Sequence, residues 1–91
     1  MLSKIFVEYS IHEADVEAYK AWIRGKMPMY PELEVLESDT QNGLFVEIWS
    51  GERTDDWIRR RRDAADAEWG GLLAWTRGGA EKLHCWRFRP L

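Results

Sequence analysis

The 91-residue sequence predicts an α+β fold, a ferredoxin-like βαββαβ antiparallel sheet with two helices on one face. Three observations predict it. Four segments alternate apolar and other residues with a period of two, the pattern of half-buried strands. Two longer segments between them carry apolar residues at helical spacing, bounded by capping residues and glycines. Finally, the chain repeats itself. KIFVEYS and GLFVEIW align Phe6 with Phe45 and Glu8 with Glu47, each pair 39 residues apart.

The first strand is read over residues 4–11. Ile5, Val7, Tyr9 and Ile11 point one way, and Phe6, Glu8 and Ser10 the other. Ser10 and Glu13 have the spacing of a capping box. The first helix follows over about 12–24, with Val16, Tyr19 and Ile23 as its stripe, and Gly25 and Pro28 end it. Residues 27–31, MPMYP, form a loop able to serve as a lid. The second strand covers 32–38. Asn42-Gly43 is a strong hairpin signal, and the third strand covers 44–50. Leu44, Val46 and Ile48 line one of its faces, and Phe45, Glu47 and Trp49 the other.

Thr54 is the expected N-cap of the second helix, with Asp55 and Asp56 in its first turn, where the helix dipole favours acids. Its stripe is Ile58, Arg62, Ala65, Trp69 and Leu72, with a kink or split at Gly70-Gly71. The last strand covers 82–89, with His84, Trp86 and Phe88 on one face and Leu83, Cys85 and Arg87 on the other. Two tandem βαβ halves give the strand order 4-1-3-2. Aligning the halves places strands one and three side by side and parallel in the centre. A single domain over residues 1–91 is expected from this length.

Composition narrows the function. Apolar residues are 45% of the chain, enough for a core, and six tryptophans fill a core thickly or line an interface. The net charge of −3 argues against a nucleic-acid backbone or an anionic membrane as partner. The N-terminal MLSKIFVEYS does not read as a signal peptide, and no segment approaches the ~20 apolar residues of a membrane span. One cysteine, Cys85, forms no internal disulfide. A cytoplasmic protein is therefore expected. No P-loop, GxGxxG, HExxH, CxxC or GxSxG occurs, and no cofactor is called for.

If the helices cover the aliphatic faces of strands one and three, the opposite face shows Phe6, Glu8, Phe45, Glu47, Trp49, His84, Trp86 and Phe88. Aromatics on this scale need a cover. The element order, the length and this aromatic face resemble the dimeric α/β-barrel superfamily, which includes antibiotic-biosynthesis-type monooxygenases and NIPSNAP-like proteins. The resemblance covers nearly the whole chain and is one of pattern. It implies a homodimer packed through its sheets, with a pocket for a small hydrophobic ligand. Haem-degrading members carry an asparagine near the end of the first strand and a histidine on a helix. Glu8, Tyr9 and Ser10 stand there instead, and neither helix interior holds a histidine. A second resemblance is to the RNA-recognition motif, through Lys4–Val7 and Phe45–Ile48, with Phe6 and Phe45 as stacking positions. The acidic Glu8 and Glu47 beside that platform oppose phosphates.

The residues singled out for chemistry are Glu8, Glu47 and His84. Paired carboxylates on a half-buried apolar face make a general base or acid, and a histidine beside them an acid, an orienting group or a third metal ligand. The bland alternative is that the glutamates pair with arginines. Phe6, Phe45, Trp49, Trp86 and Trp57 are the candidate ligand-lining groups. Arg59–Arg62 lie among Asp55, Asp56, Asp63 and Asp66 at i,i+4 spacing, a salt-bridged solvated face. One arginine turned inward toward a pocket is the alternative. The expected function is a cofactor-independent monooxygenase- or isomerase-like enzyme acting on a small hydrophobic or aromatic compound. The alternatives are a non-catalytic binding or structural dimer of the same fold, and an RNA-binding module.

Overall fold

The structure, a computed structural model, describes residues 3–91; Met1 and Leu2, at the start of the segment weighed as a leader, lie outside the described residues. The strands are β1 (Lys4–Ser10), β2 (Leu33–Glu37), β3 (Leu44–Ser50) and β4 (His84–Phe88). The helices are α1 (Val16–Lys26), α2 (Asp55–Arg60) and α3 (Gly71–Trp75). The sheet order is β2-β3-β1-β4, the expected one, and every pairing is antiparallel. The parallel arrangement of strands one and three is thereby corrected. With β3 lying between the parallel pair β1 and β2, it must run against both.

The register decides the faces. Val7 lies opposite Glu47, Ile5 opposite Trp49 and Tyr9 opposite Phe45. Directly opposed residues point to the same side of a sheet. Phe45, Glu47 and Trp49 therefore join Ile5, Val7 and Tyr9 beneath the helices, and Leu44, Val46 and Ile48 share the outer face with Phe6, Glu8 and Ser10. The expected face of β3 was inverted. Both of its faces are apolar, so alternation alone does not say which is inside. The bulkier aromatic face is the buried one, with Phe45 at 3% and Trp49 at 1% exposure.

The core gathers Ile5, Val7, Tyr9 and Ile11 with Tyr19 and Ile23 of α1, Trp69, Leu72 and Leu73, and Leu33 and Leu83. Each fully buried side chain of this size contributes roughly 1.5–3 kcal/mol. Trp22, Trp57 and Trp75 pack on its edge as half-buried residues. The capping box does not form. A 3₁₀ turn at Glu13–Asp15 precedes α1, and no side chain caps either segment. The chain is instead pinned by main-chain bonds, Ile11 N–H to Gly43 O at 2.7 Å and His12 N–H to Trp75 O at 2.9 Å. Gly43 has φ +80°, and a Cβ there would lie 2.6 Å from the Ile11 carbonyl oxygen. This close approach requires glycine.

Thr54 caps α2 as expected, its Oγ1 accepting from Trp57 N–H at 3.0 Å. The second helix is not continuous. Asp63 accepts from Ala65 N–H, and Asp66 from Trp69 N–H at 2.8 Å. These side chains compete with helical bonding and hold the segment between α2 and α3 as turns. The split at Gly70-Gly71 occurs, leaving α3 with Leu72, Leu73 and Trp75.

Candidate functional site

The inverted face divides the predicted site residues between two places. Glu47 is fully buried between the sheet and the helical layer, with Arg61 at 1% exposure beside it. Arg61 follows the last residue of α2 and turns inward. Its Nη1 donates to Glu47 Oε1 at 2.6 Å and its Nη2 to Oε2 at 2.8 Å. Tyr9 OH donates to Oε2 at 2.6 Å, and Trp49 Nε1 to Oε1 at 2.7 Å. Tyr19 OH bonds Tyr9 OH at 2.6 Å. The guanidinium carbon stands 4.1 Å from the Trp69 ring centre and 5.5 Å from that of Trp57. Among the described residues, Arg61 Nε is the one buried side-chain polar atom without a partner.

Burial alone would push the Glu47 carboxyl up. The Arg61 charge and the bonds from Arg61, Tyr9 and Trp49 outweigh it and hold the group below its ordinary value. Burial likewise works against the Arg61 cation, and the Glu47 carboxylate more than compensates. Burial, then the nearby Glu47 charge, raises Tyr9 well above the usual phenol range. Four donors saturate this carboxylate, and it has no exposed surface. A carboxylate so satisfied is a weak base. The inward-turned arginine weighed for an anionic ligand thus meets the anion of Glu47.

The second place is the outer sheet face. Glu8 lies directly opposite His84 on β4, and Phe6 opposite Trp86. His84 stacks on Trp86, with ring centres 5.6 Å apart and planes at 19°. Phe6 and Phe88 meet edge to face at 5.2 Å. Lys4, Phe6, Glu8, Val46, Trp86, Phe88, Arg89 and Pro90 line an apolar groove of about 580 Å³. Beyond Glu8 a polar cleft of about 480 Å³ opens, lined among others by Ser10, Gln41, Arg77, Lys82 and His84. Leu36, Trp86 and Phe88 on this face are 44–55% exposed.

The structure thus brings Glu8 and His84 together with Phe6 and Trp86. It separates them from Glu47, Phe45 and Trp49, which lie on the other side of the sheet, and from Trp57, which packs against Trp49 at 5.2 Å. The trio of Glu8, Glu47 and His84 weighed as metal ligands does not assemble, and no cluster of three such side chains occurs among the described residues. The two stacking positions of the RNA-recognition reading, Phe6 and Phe45, likewise fall on opposite faces. Sequence reasoning placed Arg62 rather than Arg61 in the apolar stripe. The signal for Arg61 was its spacing, four residues after Trp57 and three after Ile58. Of the four i,i+4 pairs expected around these arginines, Asp56–Arg60 forms at 3.2 Å, while Asp55 pairs instead with Arg87 at 3.1 Å. Cys85 lies on the helix-covered face, and burial raises its thiol above the ordinary value.

Among solved structures, the chain resembles a provisionally named antibiotic biosynthesis monooxygenase from Nitrosomonas europaea, with TM-score 0.71 and 20% identity. That match covers 99% of this chain and 90% of the other. A protein from Bordetella bronchiseptica with the same provisional name matches with TM-score 0.70 and 12% identity, over 99% of this chain and 97% of the other. The chain shares the fold of these proteins. No protein-family model and no curated protein matches the sequence. No helix of the described residues is long and apolar enough to cross a membrane.

Proposed function

We propose that two copies of this chain cover each other's outer sheet face, and that the enclosed groove binds a small hydrophobic or aromatic compound for a monooxygenase-like reaction without a cofactor. The observation that carries the reading is the outer face itself. Phe6, Val46, Trp86 and Phe88 form an apolar groove wide enough for a ring system; Glu8 lines it, and His84, opposite Glu8 on β4, lines the polar cleft that adjoins it. Exposed apolar patches of this kind mark binding surfaces, and pockets that combine apolar walls with a few polar groups are the usual form of small-molecule sites. The provisional names of the two structural neighbours support the reaction class.

Glu8 is the base of this reading and His84 its partner. An activated CH₂ group beside a carbonyl or aromatic ring loses a proton to Glu8. The carbanion adds to dioxygen, and the peroxide loses water to leave a carbonyl, so that one oxygen atom enters the product and the other leaves as water. Glu8 returns its proton to the peroxide anion and takes the second C–H proton as the O–O bond breaks. The departing hydroxide takes a proton from His84, which the proton on Glu8 then restores. Glu47 takes no part in these steps. It anchors β3 to the helical layer through Arg61.

The test is oxygen uptake with a neutral polycyclic aromatic ketone bearing an activated CH₂. Glu8→Gln is expected to lower turnover by roughly 10²–10⁴-fold, the usual worth of a positioned base, with binding retained. Glu47 locked to Arg61 favours a second reading, a binding protein without chemistry. Saturable binding with no oxygen uptake selects that reading. Absence of binding refutes both.

A further inference from the structure

We propose that the polar cleft at the end of the outer groove recognises an anionic head group, so that the substrate is an apolar ring system carrying a carboxylate. This inference rests on the proposed binding role of the groove and adds the polarity of its ligand.

Four features carry it. First, Arg77 and Lys82 both line the cleft, and neither makes a salt bridge among the described residues. Most other arginines are engaged: Arg53 with Glu32, Arg59 and Arg60 with Asp56, Arg61 with Glu47, Arg87 with Asp55. Two cations without an ion-pair partner thus line one cleft, Arg77 also bordering the neighbouring cleft of Glu13, Glu17 and Glu37, and such groups bind carboxylates by charge-assisted hydrogen bonds. Second, the Lys82 stem runs close along the turn before β4. It lies across Gly78, whose φ is +76° and where a Cβ would stand 2.2 Å from Lys82 Cγ. Only a glycine leaves room for that path. Third, Ser10, Gln41 and His84 add hydrogen-bonding groups to the same cleft. Fourth, Glu8 lines both the cleft and the apolar groove. Its carboxylate disfavours an anion beside it; of the two ends, the one bordered by Lys4 and Arg89 has the apolar walls of Phe6, Phe88 and Pro90, while the Arg77–Lys82 end carries the hydrogen-bonding groups. The ring then lies over Phe6 and Trp86 with its reacting carbon near Glu8.

The experiment is calorimetric titration of the full chain with naphthoate and with naphthylmethanol, which share the ring system and differ in charge. The unmodified protein is expected to bind naphthoate about tenfold more tightly, a difference of about 1.4 kcal/mol. In the double variant R77Q/K82Q the preference disappears while naphthylmethanol binds as before. R24Q, which removes an exposed cation of α1 instead, keeps the preference. Added salt weakens naphthoate binding and leaves naphthylmethanol binding unchanged. Equal affinity for the two compounds in the unmodified protein overturns the anionic end alone. A preference that survives in R77Q/K82Q overturns it too. Failure of both compounds to bind removes the groove's binding role, and this inference with it.

Discussion

Arg61→Met is the substitution whose outcome the buried network determines most directly. It removes two of the four donors to Glu47, those at 2.6 and 2.8 Å, and leaves a carboxylate with no exposed surface without its countercharge. Removing one partner of a buried ion pair costs about 3–5 kcal/mol. A small domain has only about 5–15 kcal/mol in total, so the variant loses a large share of its stability. For a chain of this size the midpoint falls by on the order of 20 °C. Urea unfolding followed by tryptophan fluorescence reads the loss at neutral pH. The pH dependence adds a second readout. In the unmodified protein Glu47 titrates below its unfolded value. Its contribution is present above the unfolded carboxylate pKa and is lost as pH falls through the folded one. In Arg61→Met the two donors Tyr9 and Trp49 remain but the countercharge is gone, so burial outweighs them and the folded pKa lies above the unfolded one. The sign reverses, and stability declines as pH rises from the unfolded toward the folded value. The double variant Glu47→Gln with Arg61→Met keeps a carbonyl oxygen for Trp49 Nε1 and sets an amide NH₂ against the Tyr9 hydroxyl, which can accept; with no buried charge, it regains most of the loss. A loss below about 1 kcal/mol in the single variant, or no recovery in the double, refutes the assigned role.

Tyr9→Phe removes the hydroxyl that joins Tyr19 to Glu47, and is expected to cost about 1–3 kcal/mol in the same urea assay, because a buried carboxylate loses a donor. All three tyrosines are raised: Tyr9 and Tyr19 chiefly by burial, and Tyr30, pushed up to about 12, chiefly by its bond to Glu68. Absorbance titration of the native protein at pH 10 should therefore show little tyrosinate, whereas the unfolded chain ionises at the ordinary value. Stability from these groups is present below the unfolded pKa of about 10 and declines as pH rises above it. Gly43→Ala sets a side chain at φ +80° against the Ile11 carbonyl and should lower stability by at least about 1–3 kcal/mol; a neutral result in thermal unfolding contradicts the close packing of the hairpin there. Thr54→Ala removes the cap of α2 and is expected to cost about 1 kcal/mol.

The element order and most boundaries were legible because alternation and capping are local signals. The third strand, 44–50, matches the structure residue for residue, and Thr54 acts as the cap its position suggests. The capping box at Ser10 failed because the chain there is held by Gly43 and Trp75, partners distant in sequence. The face of β3 was not legible. LFVEIWS is apolar on both sides, and the partner that makes its one charge tolerable inside is Arg61, 14 residues away and hidden among three other arginines. The internal repeat misled for the same reason. Aligning Phe6 with Phe45 implies one face for both, yet antiparallel pairing sets Phe6 against Ile48 and Phe45 against Tyr9. For the candidate site, the pairing of Glu8 with His84 followed from the strand order alone. The cleft of Arg77 and Lys82 did not, since both come from the turns between α3 and β4, and a last strand read over 82–89 carries its alternation back to Lys82, two residues before β4 begins.

The central claim is that a second copy covers the outer sheet face. Light scattering behind a sizing column tests it most directly. The account predicts a molar mass twice the 10.8 kDa of the chain, held on dilution through the micromolar range. A species of 10.8 kDa at every concentration would leave Trp86 and Phe88 facing water and contradict the enclosed groove.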